Sequence, residues 1–275
     1  MCGRFVSVSS PQLLADRFGV DETVLPGREL PEHEADYNVT PRAQVMVVRE
    51  RRPRPDDDAA AAAAEAAEAA ESVRVLSLVR WGLVPSWAKD LSMGDRMINA
   101  RSESLASKPA FRRAFGKRRC IVPADAFYEW KQVGEQPERD HGGAAGRRAP
   151  RQPYCIRRRD GEPLAFAGLW EIWRDPAVAD ADAPDAWVRS CTIITTRANG
   201  VLAPIHDRMP VVLDEESWDE WLDPANHDLD ALGALLVPAP DDWVEAYPVS
   251  TRVNSPRNND ADLVAAAEPE TLLEP

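Results

Sequence analysis

The chain has 275 residues, 33 basic and 46 acidic side chains, and a formal net charge of −13. Four cysteines, at positions 2, 120, 155 and 191, exclude a disulfide scaffold, and without a CxxC pair a cysteine zinc site is not expected. No apolar run approaches 18 residues, and Asp16 and Arg17 break up the N-terminal stretch, so neither a membrane span nor a secretory signal is expected.

In chain order, residues 4–8 read as a short strand. Ser10-Pro11 then opens a helix through Leu13, Leu14, Arg17 and Phe18, with Gly19 as its stop. Strands are expected at 45–49 and 73–81, with a low-complexity Ala/Glu insertion over 50–72 between them. A helix is expected at 103–115. Strands follow at 119–122 and 126–132, then a Gly/Arg/Pro-rich loop insertion at 134–152. Further strands are expected at 154–158, 164–173, 188–195, 209–213 and 244–249. Helices are expected at 215–222, capped by Asp214, and at 228–236. Strands outnumber helices and no βαβ alternation appears. The expected fold class is α+β, a single domain over 1–262 with a largely antiparallel, barrel-like β-sheet core flanked by helices, then an acidic tail over 263–275.

The charge is uneven. Residues 214–275 hold 16 acidic side chains and two basic ones, whereas 95–119 holds eight basic ones against Asp95 and Glu103. An acidic chain can therefore still present a local basic surface to nucleic acid, although a solvated helix face would read the same way. Only four of the 33 basic residues are lysine. That bias fits either a salty cytoplasm or a GC-rich genome.

Met1-Cys2-Gly3-Arg4 opens the chain. Loss of Met1 would expose a 1,2-aminothiol. An α-amine has a pKa of about 7.7–8.0 against about 10.4 for lysine, so part of it is neutral and nucleophilic near pH 7. It can form a Schiff base with an aldehyde, and the thiol can close that imine to a thiazolidine. The same group could attack an amide. A cysteine that merely follows methionine would look identical.

Four further segments could carry chemistry. Asn99 and Arg101 share one side of an extended segment, an amide to orient an amine or sugar and a guanidinium to hold a phosphate; a plain loop is the alternative. Glu129 lies within Phe127-Tyr128-Glu129-Trp130, where a carboxylate walled by aromatics suits general acid–base work; a solvent-facing edge position is the alternative. His206, in Pro204-Ile205-His206-Asp207-Arg208-Met209-Pro210, could shuttle protons or be a hydrogen-bonded structural histidine. The turn Arg80-Trp81-Gly82-Leu83-Val84-Pro85-Ser86-Trp87 could stack on unpaired bases or simply pack a hairpin.

Taken in order, MCGRF (1–5), YNVTP (37–41), RWGLVPSW (80–87), INARSE (98–103), FYEW (127–130), TTRAN (195–199), HDRMP (206–210) and VSTRVNSPRNN (249–259) closely resemble the SOS response-associated peptidase family. Members of that family are understood as abasic-site processing proteins. The resemblance implies a single α+β domain and a covalent link from Cys2 to an abasic sugar in single-stranded DNA. It implies that Asn99 orients the Cys2 amine or the sugar, that Glu129 is the general acid/base and that His206 shuttles protons at the sugar hydroxyl. It also implies that Arg4, Arg101 and Arg208 hold phosphates, that Pro41, Trp81 and Trp87 shape the cleft and meet bases, and that Thr195 sits beside the Cys2 pocket. No cofactor and no metal are expected, and the expected form is a cytoplasmic monomer. An N-terminal-nucleophile autopeptidase or amidohydrolase using Cys2, and a non-covalent reader of damaged DNA, are the competing readings.

Overall fold

The computed structural model describes residues 2–20, 32–51, 72–134, 150–180, 182–183 and 185–267. Twelve strands run through these residues: β1 (Phe5–Ser7), β2 (Asp36–Val39), β3 (Gln44–Arg51), β4 (Val73–Trp81), β5 (Asn99–Arg101), β6 (Arg119–Ala124), β7 (Ala126–Gln132), β8 (Arg151–Arg158), β9 (Leu164–Arg174), β10 (Trp187–Arg197), β11 (Arg208–Pro210) and β12 (Val244–Pro248). Four short α-helices accompany them: α1 (Pro11–Phe18), α2 (Arg112–Lys117), α3 (Trp218–Leu222) and α4 (Leu229–Ala234).

Strands β4, β3, β6, β9 and β10 pair in that order, and β10 pairs back with β4 through Ser190↔Arg80 and Cys191↔Trp81. Five strands thus close into a barrel. The β10–β4 and β10–β5 pairs are parallel, and every other pair is antiparallel. A second, antiparallel sheet runs β12-β8-β7-β1-β2. The α+β, barrel-like expectation holds.

The alternation of strand side chains buries both faces of the barrel strands. On β3, Val45 and Val47 join a core with Phe5, Phe127 and Ile156 of the second sheet. Met46 and Val48, between them, join a core with Leu14 and Phe18 of α1, Phe115 of α2, and Trp218 and Trp221 of α3. Two-sided burial is why β3 reads as an unbroken apolar run rather than an alternating one.

Helix α1 forms as its sequence dictates. The Ser10 side chain accepts from Leu13 N, Pro11 stands at the first position, and Gly19 closes the end at φ 62° with its N–H donated to Ala15 O. The helix expected at 103–115 does not form over its full span. A single 3₁₀ turn occupies Ser102–Ser104, and α2 begins only at Arg112. Pro109 disfavours helical backbone at Lys108 and breaks the run. Strands β2 and β5 were absent from the expected elements. The other expected helices are shorter than anticipated, and residues 215–217 form a 3₁₀ turn.

The β3–β4 pairing stays in register to Arg51↔Val73, so Glu50 and Arg51, expected in the 50–72 insertion, belong to β3. The β7–β8 pairing likewise reaches Gln132↔Arg151, so Arg151 and Gln152, expected in the 134–152 loop, belong to β8. Residues 52–71, 135–149 and 268–275 lie outside the described residues. Packed residues continue past the expected boundary at 262. Leu263 is buried against Val6 and Tyr128, and Ala267 N donates to Pro248 O. Among the described residues no helix is long and apolar enough to cross a membrane.

Candidate active site

Strand β1 lies between β2 and β7, with Phe5 opposite both Val39 and Phe127. The ladder continues toward the N-terminus, since Tyr128 N donates to Arg4 O at 3.0 Å. Antiparallel register then sets Gly3 opposite Glu129. Cys2 is fully buried at the seam between the second sheet and the barrel, in one apolar cluster with Phe5, Trp81 and Phe127. Burial pushes the Cys2 thiol far up, and the charge of Glu129 pushes it further the same way. Glu129 is itself buried on β7.

Strand β5 brings the third member. Its parallel pairing with β10, Ile193↔Asn99, fixes where the Asn99 side chain starts. Asn99 Nδ2 donates to the Cys2 carbonyl oxygen at 2.7 Å. Asn99 Oδ1 is buried and has no hydrogen-bond partner among the described residues. The amide thus anchors Cys2 by its carbonyl and keeps an acceptor in reserve beside it.

The RWGLVPSW turn builds the wall behind. Trp81 Nε1 donates to Ile98 O at 2.9 Å, and its ring meets Phe5 edge-on with centroids 5.1 Å apart. Gly82 holds φ 123°, and a Cβ on Gly94 would stand 2.4 Å from Gly82 O. Only glycines allow the 82–87 turn and the 91–96 turn to touch so closely. Pro41 sits in the tight turn between β2 and β3, beside Trp81, because Arg42 N donates to Trp81 O and Trp81 N to Ala43 O.

His206 enters on the loop from β10 to β11. Its Nδ1 accepts from Arg208 N at 3.0 Å and lies 2.9 Å from Asp207 Oδ1.

A family model described as SOS response associated peptidase matches residues 1–256. The chain belongs to this family. It is 38% identical over 264 residues to the abasic site processing protein YoqW of Bacillus subtilis, covering 96% of this chain and 99% of that one. It is 32% identical over 207 residues to the abasic site processing protein HMCES of Xenopus tropicalis, covering 72% of this chain and 59% of HMCES. In fold it is similar to a solved protein from Bacteroides thetaiotaomicron, with a TM-score of 0.71, 23% identity, and coverage of 97% of this chain and 100% of that one.

Within this SOS response associated peptidase fold, the residues expected to meet DNA fall into two groups. Trp87 is 57% exposed, and Arg101 is exposed with no side-chain bond or ion pair among the described residues. Both are open to a ligand. Trp81 is 0% exposed, which corrects its expected role against bases: it is the floor under Cys2 and presents no face to stack on. Arg4 is turned inward, donating to Asn38 Oδ1 at 2.6 Å and Val253 O at 2.8 Å. Burial lowers its pKa. Arg208 is clasped by Glu103 and Thr195, and Thr195 is buried.

Two contributors were missed by sequence reasoning. Asn38 donates to the carbonyls of Ser255 at 3.0 Å and Asn258 at 2.8 Å while accepting from Arg4. It straps the VNSPRNN segment onto β1 and β2, which accounts for that late motif. Glu103 grips Arg208 in bidentate fashion. Both stood inside the motifs YNVTP and INARSE, but the VNSPRNN carbonyls that Asn38 holds and the Arg208 that Glu103 holds lie more than 100 residues away along the chain.

Proposed function

We propose that this protein captures abasic sites in single-stranded DNA as a thiazolidine on Cys2, once Met1 has been removed. The observation that carries the reading is the convergence on Cys2 of the Asn99 amide and the buried Glu129 carboxylate.

An abasic deoxyribose is mostly a closed hemiacetal. Proton transfer by Glu129 and His206 opens it to the aldehyde. The Cys2 amine adds to the aldehyde carbon, and the carbinolamine loses one water to give the imine. The Cys2 sulfur then adds to the imine carbon while its proton passes to nitrogen, closing the five-membered ring. The net change is aldehyde plus aminothiol giving thiazolidine plus water, with no DNA strand broken. Asn99 holds Cys2 by its carbonyl, which leaves the amine and thiol facing the sugar. Arg101 takes a flanking phosphate and Trp87 a base, while Pro41 shapes the cleft.

The state of the thiol argues against a cysteine amidohydrolase. Such enzymes need the thiolate, and hence a lowered thiol pKa, whereas burial and Glu129 raise that of Cys2. Thiazolidine closure, in contrast, starts at the amine, and the sulfur adds only to the activated imine carbon, giving its proton to the neighbouring nitrogen as it does so.

The test is a denaturing gel of the full chain, with Met1 loss verified by mass, mixed with single-stranded DNA bearing one abasic site. A shifted band in wild type and none in Cys2→Ala is the expected result. No band at any salt concentration sinks the proposal and returns amide hydrolysis to the front.

A further inference from the structure

A guanidinium has five N–H donors. Four of those of Arg208 are engaged inside the protein. Nε donates to Thr195 Oγ1 at 3.3 Å and Nη2 to Thr195 O at 2.5 Å. Nη1 and Nη2 also take the two oxygens of Glu103 at 2.9 and 3.0 Å. A phosphate would have to displace Glu103 to gain a bidentate hold on Arg208. The arrangement is that of a clamp.

The clamp joins three elements. Glu103 stands in the turn directly after β5, Thr195 lies on buried β10, and Arg208 begins β11. Strand β5 carries Asn99, and the loop into β11 carries His206. The clamp therefore spans the two sides of the site. Glu103 stays ionised in this setting, since Arg208 holds its carboxyl below the usual range.

The same Arg208 reaches His206 through its main chain. Arg208 N–H donates to His206 Nδ1 at 3.0 Å. That bond makes Nδ1 an acceptor and leaves the neutral ring's proton on Nε2. Asp207 Oδ1, 2.9 Å from the same Nδ1, favours the opposite arrangement, with the proton on Nδ1. Where the Arg208 main chain sits decides between them.

We infer that Glu103 is a positioning residue for the proposed capture: its grip on Arg208 ties β5 and β11 together across β10, with which both pair, and holds the His206 ring as the Nε2–H tautomer. The inference rests on the reading of His206 as the proton shuttle. Glu103 itself never touches the sugar in this scheme.

The test uses full-length Glu103→Ala and Glu103→Gln with Met1 removed. Four quantities are compared with wild type: thermal midpoint, affinity for undamaged single-stranded DNA, single-turnover crosslinking rate, and His206 ring ¹⁵N shifts. Glu103→Ala is expected to slow crosslinking by roughly 100-fold, the scale on which small misplacements act. DNA affinity should stay within about twofold, and the His206 signals should move toward the Nδ1–H form. Glu103→Gln keeps one acceptor oxygen and should fall between; it carries the test if the alanine variant does not fold. Tighter DNA binding with an undiminished rate would overturn the proposal and make Glu103 a stand-in for phosphate on Arg208. An unchanged rate with unchanged ring signals would also overturn it. If wild type forms no crosslink, the capture reading fails by itself, while the ring signals still decide whether the clamp sets the tautomer.

Discussion

Asn99 Nδ2 lies 2.7 Å from the Cys2 carbonyl oxygen, a bond between residues 97 positions apart. In the proposed capture it would hold Cys2 by the one backbone group that the chemistry does not need. In that proposal the nitrogen and sulfur, neither of them used by this bond, are the atoms that meet the aldehyde. Strand β5 makes this bond possible, since its pairing with barrel strand β10 fixes where Asn99 stands.

Replacing Asn99 by Ala removes that anchor. The crosslinking rate is expected to fall roughly 100-fold, because effective molarity depends on sub-ångström placement. Stability should fall by only about 1 kcal/mol, the net worth of one hydrogen bond. Asn99→Asp should behave like Asn99→Ala, as a carboxylate cannot donate to the Cys2 carbonyl. Timed quenching on denaturing gels measures the rate, and urea melts measure the stability. A wild-type rate in Asn99→Asp would show that the donor is not what matters.

The two tryptophans of the RWGLVPSW turn separate cleanly. Trp81→Ala empties a fully buried site and is expected to cost about 3–5 kcal/mol of stability. Trp87→Ala changes an exposed residue and should cost less than about 0.5 kcal/mol. It should nevertheless weaken single-stranded DNA binding by about 1–3 kcal/mol, the worth of one stacked base. Melts and fluorescence anisotropy on the same pair of variants check both halves. Equal effects of the two on stability would contradict this division.

Much of this was legible before any coordinates. The capping of α1 by Ser10, Pro11 and Gly19 is local chemistry, and so are the β-branched runs that become β3, β4 and β10. The family resemblance of the ordered motifs implied that Cys2, Asn99 and Glu129 belong to one site, and the Asn99–Cys2 bond fits that. What was not legible depends on distant partners. Strand β5 is three residues long and exists because β10 pairs with it. The turn at Trp81 reads equally as a stacking platform or a packed hairpin until the barrel closes over it. That Glu103 and Thr195 hold the Arg208 guanidinium shows only once β5, β10 and β11 are paired. The helix expected at 103–115 failed for a local reason, Pro109, which the sequence displayed all along.

All four cysteines are buried, and burial raises each thiol above its ordinary value, Cys155 to about 11. In the unfolded chain these thiols ionise near pH 8.5. Above that pH the unfolded state binds fewer protons than the folded one, so stability falls as pH rises. Each withheld thiol contributes a slope of about 1.4 kcal/mol per pH unit. The contribution of Cys155 is complete once the pH passes about 11. Tyr128 and Tyr247, also raised by burial, push the same way above about pH 10. Urea melts at pH 7, 8.5 and 9.5 under reducing conditions are expected to show falling midpoints, with a shallower decline in Cys155→Ala. A flat profile across that window would mean the thiols are hydrated.

The contact between Gly82 and Gly94 gives the last prediction. A Cβ at Gly94 would stand 2.4 Å from Gly82 O and 2.9 Å from Val84 Cγ2. One at Gly82 would stand 2.7 Å from Gly94 O, at a φ of 123° that side chains rarely adopt. Each alanine variant is expected to cost about 1–3 kcal/mol through overpacking or backbone strain. The larger effect should be on chemistry. The turn at 91–96 leads straight into Met97–Asn99, held by Leu83 N to Met97 O at 3.1 Å and by Trp81 Nε1 to Ile98 O. Pushing the two turns apart moves the start of β5 and with it the Asn99 amide. Gly94→Ala should therefore slow crosslinking well beyond what its loss of stability implies at a temperature where it stays folded. Gly233→Ala is the control. That helical glycine has open space around its Cβ position, and the change should add about 0.5–1 kcal/mol of stability and leave the rate alone. If Gly94→Ala crosslinks as fast as Gly233→Ala, the turn does not position Asn99.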